Sequence, residues 1–119
     1  MKKLIATLVL TAVMFVGCMA ADPATKEGAQ EIATKWVEDN APTYMFDGSD
    51  LERTKIFPLS CENCFKFEFN FTSKYPGFGD RSGEELEAED TYHTIGVYIE
   101  NGEVTEAVTD AEYDEINKI

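Results

Sequence analysis

Histidine occurs once in these 119 residues, at position 93, and tryptophan once, at position 36. Cysteine occurs three times, and lysine and arginine together supply 10 residues against 23 acids. Each scarcity removes a class of function. A structural zinc site takes four ligands, so His93, Cys61 and Cys64 would need an acid or a second chain to complete one. With so few cations the net charge is −13, and a polyanion would be repelled rather than release counterions, which removes nucleic acid as a partner. No Gly-Lys-Ser/Thr follows the glycines of the central loop, so no phosphate cradle is written there. Asp47-Gly48-Ser49-Asp50 lacks the remaining ligands of an EF-hand loop. No serine or cysteine stands near His93 in sequence as a nucleophile would, and carboxylates are too common to single out a catalytic pair. No internal repeat and no second domain are visible. No cofactor is expected, and a single domain of this kind is expected to act as a monomer.

The one long apolar run, Leu4 to Val16, follows Lys2 and Lys3 and is too short for a comfortable membrane span. It has the layout of a signal peptide covering residues 1–17. Phe15-Val16-Gly17-Cys18 resembles the lipobox of bacterial and archaeal lipoproteins, with Phe15 where leucine is usual; the resemblance implies lipidation of Cys18. Ordinary cleavage near Met19-Ala20-Ala21, giving a secreted soluble protein, is the alternative. Either route takes Cys18 out of thiol chemistry and leaves Cys61 and Cys64 as an even pair outside the cytosol. Loss of residues 1–17 removes two cations and no acid, so the exported part is more acidic still. Spread along the whole chain, that charge serves solubility first; binding of a cation or a basic peptide is the sharper alternative.

Residues 18–24 are expected to form a tether and residues 25–119 a single α+β domain. Asp22-Pro23 suits the start of a helix. Ala29, Ile32, Ala33, Trp36 and Val37 then form one apolar stripe at helical spacing, with Trp36 as core anchor, and Asn40 and Pro42 end it. Tyr44–Phe46 is expected as a short extended piece before an Asp47-Gly48 turn. Residues 51–59 suggest an imperfect strand that Pro58 confines to an edge or to its own end. In residues 64–72, Phe65, Phe67, Phe69 and Phe71 alternate with Lys66, Glu68, Asn70 and Thr72, so the phenylalanines share one face. Ile95, Val97 and Ile99 repeat that pattern in residues 92–100. Asn101-Gly102 signals a type I′ hairpin, and Val104 and Val108 on the return strand are expected to face the same way as Ile99 and Ile95. The acidic tail from Asp110 is expected to make one helical turn or hang free. The sum is one N-terminal helix on a three- to four-stranded antiparallel meander.

Several segments carry a resemblance to a group of small exported prokaryotic proteins. They are Pro42-Thr43-Tyr44 with Phe46-Asp47-Gly48, Cys61-x-x-Cys64 ahead of an aromatic strand, Gly77-Phe78-Gly79-Asp80-Arg81-x-Gly83, and Gly102-x-Val104-x-x-Ala107-Val108-x-Asp110. The similarity covers most of residues 27–116. It implies a cystatin-like or PepSY-type helix-on-sheet module and an extracytoplasmic location, and it implies no activity. The Gln-Val-Val-Ala-Gly-type inhibitory loop of cystatins has no counterpart, so protease inhibition is not carried across.

Cys61-Glu62-Asn63-Cys64 allows three readings. In an antiparallel pairing Cys64 falls opposite Glu100 and His93 opposite Phe71. At ~3.3 Å per residue this sets His93 on the order of 20 Å from the cysteines and argues against a shared metal. A thioredoxin-like redox site would place the first cysteine at a helix N-terminus, whereas this pair precedes a strand and encloses Glu62. The remaining reading, a disulfide-closed turn, is the one expected. At the opposite end of the sheet the meander would gather Tyr75, Phe78, Asp80, Arg81 and His93, the candidate binding edge. The bland alternative makes the glycines shape a crossover loop, pairs Arg81 with an acid, and leaves His93 at the core edge. Asn70-Phe71-Thr72 fits a glycosylation sequon on the polar face.

Together these features suggest a membrane-anchored extracytoplasmic domain that binds a protein, peptide or small ligand without catalysis. A thiol-redox or metal-handling protein using Cys61 and Cys64 is the alternative, and a peptidase-modulating module is a third.

Overall fold

The computed structural model describes residues 25–119; the signal-peptide, Cys18 and Asp22-Pro23 expectations lie outside the described residues. Helix α1, Lys26–Asn40, begins behind Thr25, whose side chain accepts a hydrogen bond from the Gly28 amide. That is the bond expected of a threonine N-cap. Helix α2, Pro42–Asp47, follows after Ala41 alone. Strands β1 (Gly48–Pro58), β2 (Cys64–Ser73), β3 (Thr91–Glu100), β4 (Glu103–Thr109) and the two-residue β5 (Tyr113–Asp114) complete the chain. They form one antiparallel sheet in the order β1-β2-β3-β4-β5, an α+β meander of five strands. Among the described residues no helix is long and apolar enough to cross a membrane.

The core is made by size matching. From α1 come small side chains, Ala29, Ala33 and Val37, with Ala41 just beyond, all fully buried. From the sheet come Phe67, Phe69, Phe71, Ile95, Val97 and Ile99. Alanines let the helix approach closely while the phenylalanines fill the space, at ~1.5–3 kcal/mol for each large side chain buried. Ile32, Trp36 and Phe65 are only partly buried and pack against this cluster from its margin. Trp36 therefore flanks the core rather than anchoring its centre. Both helices meet the sheet on this face, α1 through its small side chains and α2 through Tyr44 against Phe71, and the polar residues of β2 alternate onto the other.

Two hairpins set the register. Asn101 and Gly102 both have positive φ, 49° and 84°, the type I′ signature, and Glu100 pairs with Glu103. Cys64 lies opposite Glu100 and Phe71 opposite His93, as the alternation predicts. On β4 the pattern breaks. Ile99 pairs with Val104 but Tyr98 pairs with Glu106, so Thr105 is an extra residue in the ladder. This bulge reverses the parity of the rest of the strand. Ala107 and Thr109 turn inward and are fully buried, while Val108 pairs with Gly96 on the opposite face, against the expectation for Val108. Pro58 ends the edge strand β1, which carries two further bulges.

Residues 44–46 are helical, not extended. Pro42 occupies the first position of α2, where a missing N–H costs nothing. Gly48 is the C-cap of α2 and already extended, at φ −77° and ψ 149°. It is glycine for want of room, since a Cβ there would run into the Tyr44 ring. The tail is also not free. Beyond β5, Glu115 is 1 % exposed and turns back under α2.

Candidate functional site

The two ends of the sheet treat their polar residues differently. At the β1–β2 end Cys61 and Cys64 are joined by a disulfide with Cα atoms 5.4 Å apart. Asn63 takes a left-handed φ of 58° to close the turn, and the Leu59 amide donates to the Cys64 carbonyl at 2.9 Å. Cys61 is exposed while Cys64 is buried. The pair sits on a turn before a strand, without the helix N-terminus that stabilises a reactive thiolate.

At the other end the loop after β2 is tied down by Arg81, 2 % exposed. Its Nη2 donates to Asp47 Oδ1 at 2.8 Å and to the Thr43 carbonyl at 3.2 Å; its Nη1 donates to the Gly77 carbonyl at 2.6 Å. The guanidinium carbon lies 4.6 Å from the centre of the Phe46 ring, so charge and aromatic face also meet. The other Asp47 oxygen accepts from the Tyr75 amide at 2.9 Å, which leaves Asp47 committed to the fold and not to a metal. Among the described residues no group of three or more His, Cys, Asp or Glu is placed to hold a metal ion.

Thr43 links three segments. Its amide donates to Glu115 Oε1 at 3.1 Å, its hydroxyl oxygen accepts from the Gly79 amide at 2.8 Å, and its carbonyl accepts from Arg81. Ala41 offers α2 no side-chain cap; Glu115 supplies that charge from the tail, where a helix N-terminus favours an anion. The second Glu115 oxygen accepts from the Thr109 hydroxyl at 2.6 Å. A glutamate in an acidic tail carries no sequence mark of this role, because its partner lies 72 positions away.

His93 is 3 % exposed. Its Nδ1 lies 2.6 Å from Asp110 Oδ2, which assigns the hydrogen to Nδ1 because a carboxylate oxygen only accepts. The other Asp110 oxygen accepts from the Thr94 amide. The imidazole lies between the rings of Phe71, at 5.2 Å, and Phe78, at 5.5 Å, and Phe78 stacks on Tyr113 at 5.4 Å. Nε2 is buried without a hydrogen-bond partner, and at 3 % exposure the ring is largely closed off from bulk solvent. The candidate residues Tyr75, Phe78, Asp80, Arg81 and His93 do come together at one end of the sheet. Arg81 and His93 are consumed internally, Tyr75 and Phe78 are half-buried, and Asp80 alone is exposed.

Beside this network runs a groove of about 730 Å³. Helix α2 contributes Pro42, Met45 and Phe46 to it, β5 contributes Tyr113, and Asp39, Asp80 and Lys118 bring charge. Met45 is 57 % exposed. The Ser82 hydroxyl and amide both donate to Asp80 Oδ1, at 2.7 and 2.9 Å. These two bonds, the hydroxyl's foremost, hold the Asp80 carboxyl below the usual carboxylate range. Tyr113 is shifted the other way, its phenol raised first by burial and then by the charges of Glu115 and Asp114. Met45 and Lys118 gave no signal in the sequence; an exposed methionine on a short helix is visible as a surface only once the helix is known.

Fold and site together define a helix-on-meander domain with a pinned loop and an adjoining surface groove. No family model, no curated protein and no solved structure matches this chain.

Proposed function

We propose that this chain is an exported, membrane-anchored domain that works by binding, without a chemical step of its own, and that it binds in the groove beside the pinned loop. One observation carries the reading: the residues with catalytic potential at that end, His93, Asp110, Arg81, Asp47 and Glu115, are spent on one another or on the backbone. The open surface next to them is left to apolar and singly charged side chains. A groove of several hundred Å³ whose lining is shared about equally between polar and apolar side chains has the size of a binding site. Export is supported by the Cys61–Cys64 disulfide, which persists outside a reducing cytosol, and by the signal-like residues 1–17. Lipidation at Cys18 would make the anchor. The cystatin-like or PepSY-type relationship, and with it a peptidase-modulating role, rests on analogy of fold alone.

The thiol-redox alternative draws on the exposure of Cys61, but Glu62 beside it works against a thiolate. Heteronuclear NMR of the exported chain with pools of short random peptides tests the binding reading. Shifts are expected at Met45, Phe46, Asp80 and Tyr113. Pools that leave those amides unmoved, or that shift the Cys61–Cys64 turn instead, contradict it.

A further inference from the structure

We propose that the partner of this groove is a basic amphipathic segment, a short stretch of chain carrying lysine or arginine beside an apolar side chain. The inference rests on the binding reading above and names its partner class. The groove is bounded by Asp39 at the end of α1 and by Asp80 on the loop, against the single cation Lys118. The last turn of α1 holds no basic residue and ends in Glu38, Asp39 and Asn40. A helix C-terminus is the negative end of its dipole, so acids there oppose the helix they belong to. Local choices that work against stability are the ones expected where a surface has another task. Carboxylates and dipole end together set a negative potential beside the groove, and a chain of net charge −13 steers cations toward it.

The apolar half of the site has a rigid and an adaptable part. Phe46 is held under the Arg81 guanidinium and against Tyr75, with ring centres 6.4 Å apart. Met45 is exposed and unbranched, a side chain that moulds itself to different apolar partners. Asp80 is oriented through one oxygen by Ser82 and has the other available. A cationic head beside Asp39 or Asp80, with its neighbour on Met45 and Phe46, satisfies both halves. A second copy of this chain does not, because it would bring the same negative surface to the contact.

The test uses the exported chain and a set of short peptides with identical leucines and lysine, glutamine or glutamate at every other position. Fluorescence anisotropy is read at low and high salt. The lysine peptide is expected to bind about tenfold more tightly than the glutamine peptide at low salt, with the gap closing as salt screens the charges. The glutamate peptide is expected not to bind. Asp39→Asn and Asp80→Asn should each weaken the lysine peptide roughly two- to fivefold and leave the glutamine peptide alone, as loss of one exposed charge pair implies. Lys118→Gln should tighten the lysine peptide. Equal binding of lysine and glutamine peptides at Met45 and Phe46 overturns the basic partner while the binding reading stands. Concentration-dependent dimers abolished by Met45→Asp overturn it in favour of a second copy. Absence of binding by every peptide, with melting temperatures unchanged in the variants, removes both the partner and the groove.

Discussion

One end of the sheet is held by a covalent bond between residues three apart; at the other, an ion pair and several hydrogen bonds join residues 28 to 72 apart, backed by shorter-range contacts. The first closes an exposed turn whose neighbours are already ordered by the β1–β2 ladder. The second joins α2, the long loop and the tail, three segments with no ladder of consequence in common. A local crosslink restrains little chain, whereas a buried charge that loses its partner stays buried and uncompensated. The end that the sequence marks as a candidate binding edge should therefore also be the one on which the fold depends.

The largest expected effect comes from that contrast. Arg81→Ala strands Asp47 and frees the Thr43 and Gly77 carbonyls, and should cost ~3–5 kcal/mol in urea unfolding. Because Arg81 is 2 % exposed, its removal is expected to register in stability and not in ligand capture alone. A loss below that of the disulfide variant would break the comparison. The double variant Cys61→Ser with Cys64→Ser should cost less, ~2 kcal/mol, because the loop that the bond closes is so short. A collapse of the whole domain on reduction would place the weight at the wrong end.

The smallest effect concerns Asp80 and is one of pH. Its carboxyl is held low by Ser82, so the contribution of this contact is present above the unfolded carboxylate range and is lost as pH falls through the lower folded value. Ser82→Ala should raise the Asp80 titration midpoint in carbon-detected NMR. The stability difference between the two proteins should be seen at neutral pH and fade in acid. A midpoint unmoved by the substitution would show that Ser82 does not orient Asp80.

How much of this was legible in the sequence depends on how far apart the interacting residues lie. The α1 stripe, the four phenylalanines of β2 and Asn101-Gly102 are local signals, and they predict the register that brings Phe71 opposite His93. The disulfide is legible for the same reason. Helix α2 is not, because six residues show no period and its cap is Glu115, far along the chain. The bulge at Thr105 leaves no mark in a run of alternating residues, so the inward faces of Ala107 and Thr109 could not be read. Of the candidate site, the gathering of Tyr75, Phe78, Asp80, Arg81 and His93 is a consequence of topology. Which of them would be buried is not, since that depends on Asp47, Thr43 and Asp110 meeting them.

Native-state hydrogen exchange at two amides addresses the pinned loop most directly. Gly79 donates to the buried Thr43 hydroxyl and Tyr75 to Asp47. Neither belongs to a helix or strand. Both amides should exchange only through openings close in free energy to global unfolding, more slowly than those of the Cys61–Cys64 turn. Exchange at the rate of an unrestrained loop, with β2 and β3 still protected, would contradict the claim that this end of the sheet holds the fold together.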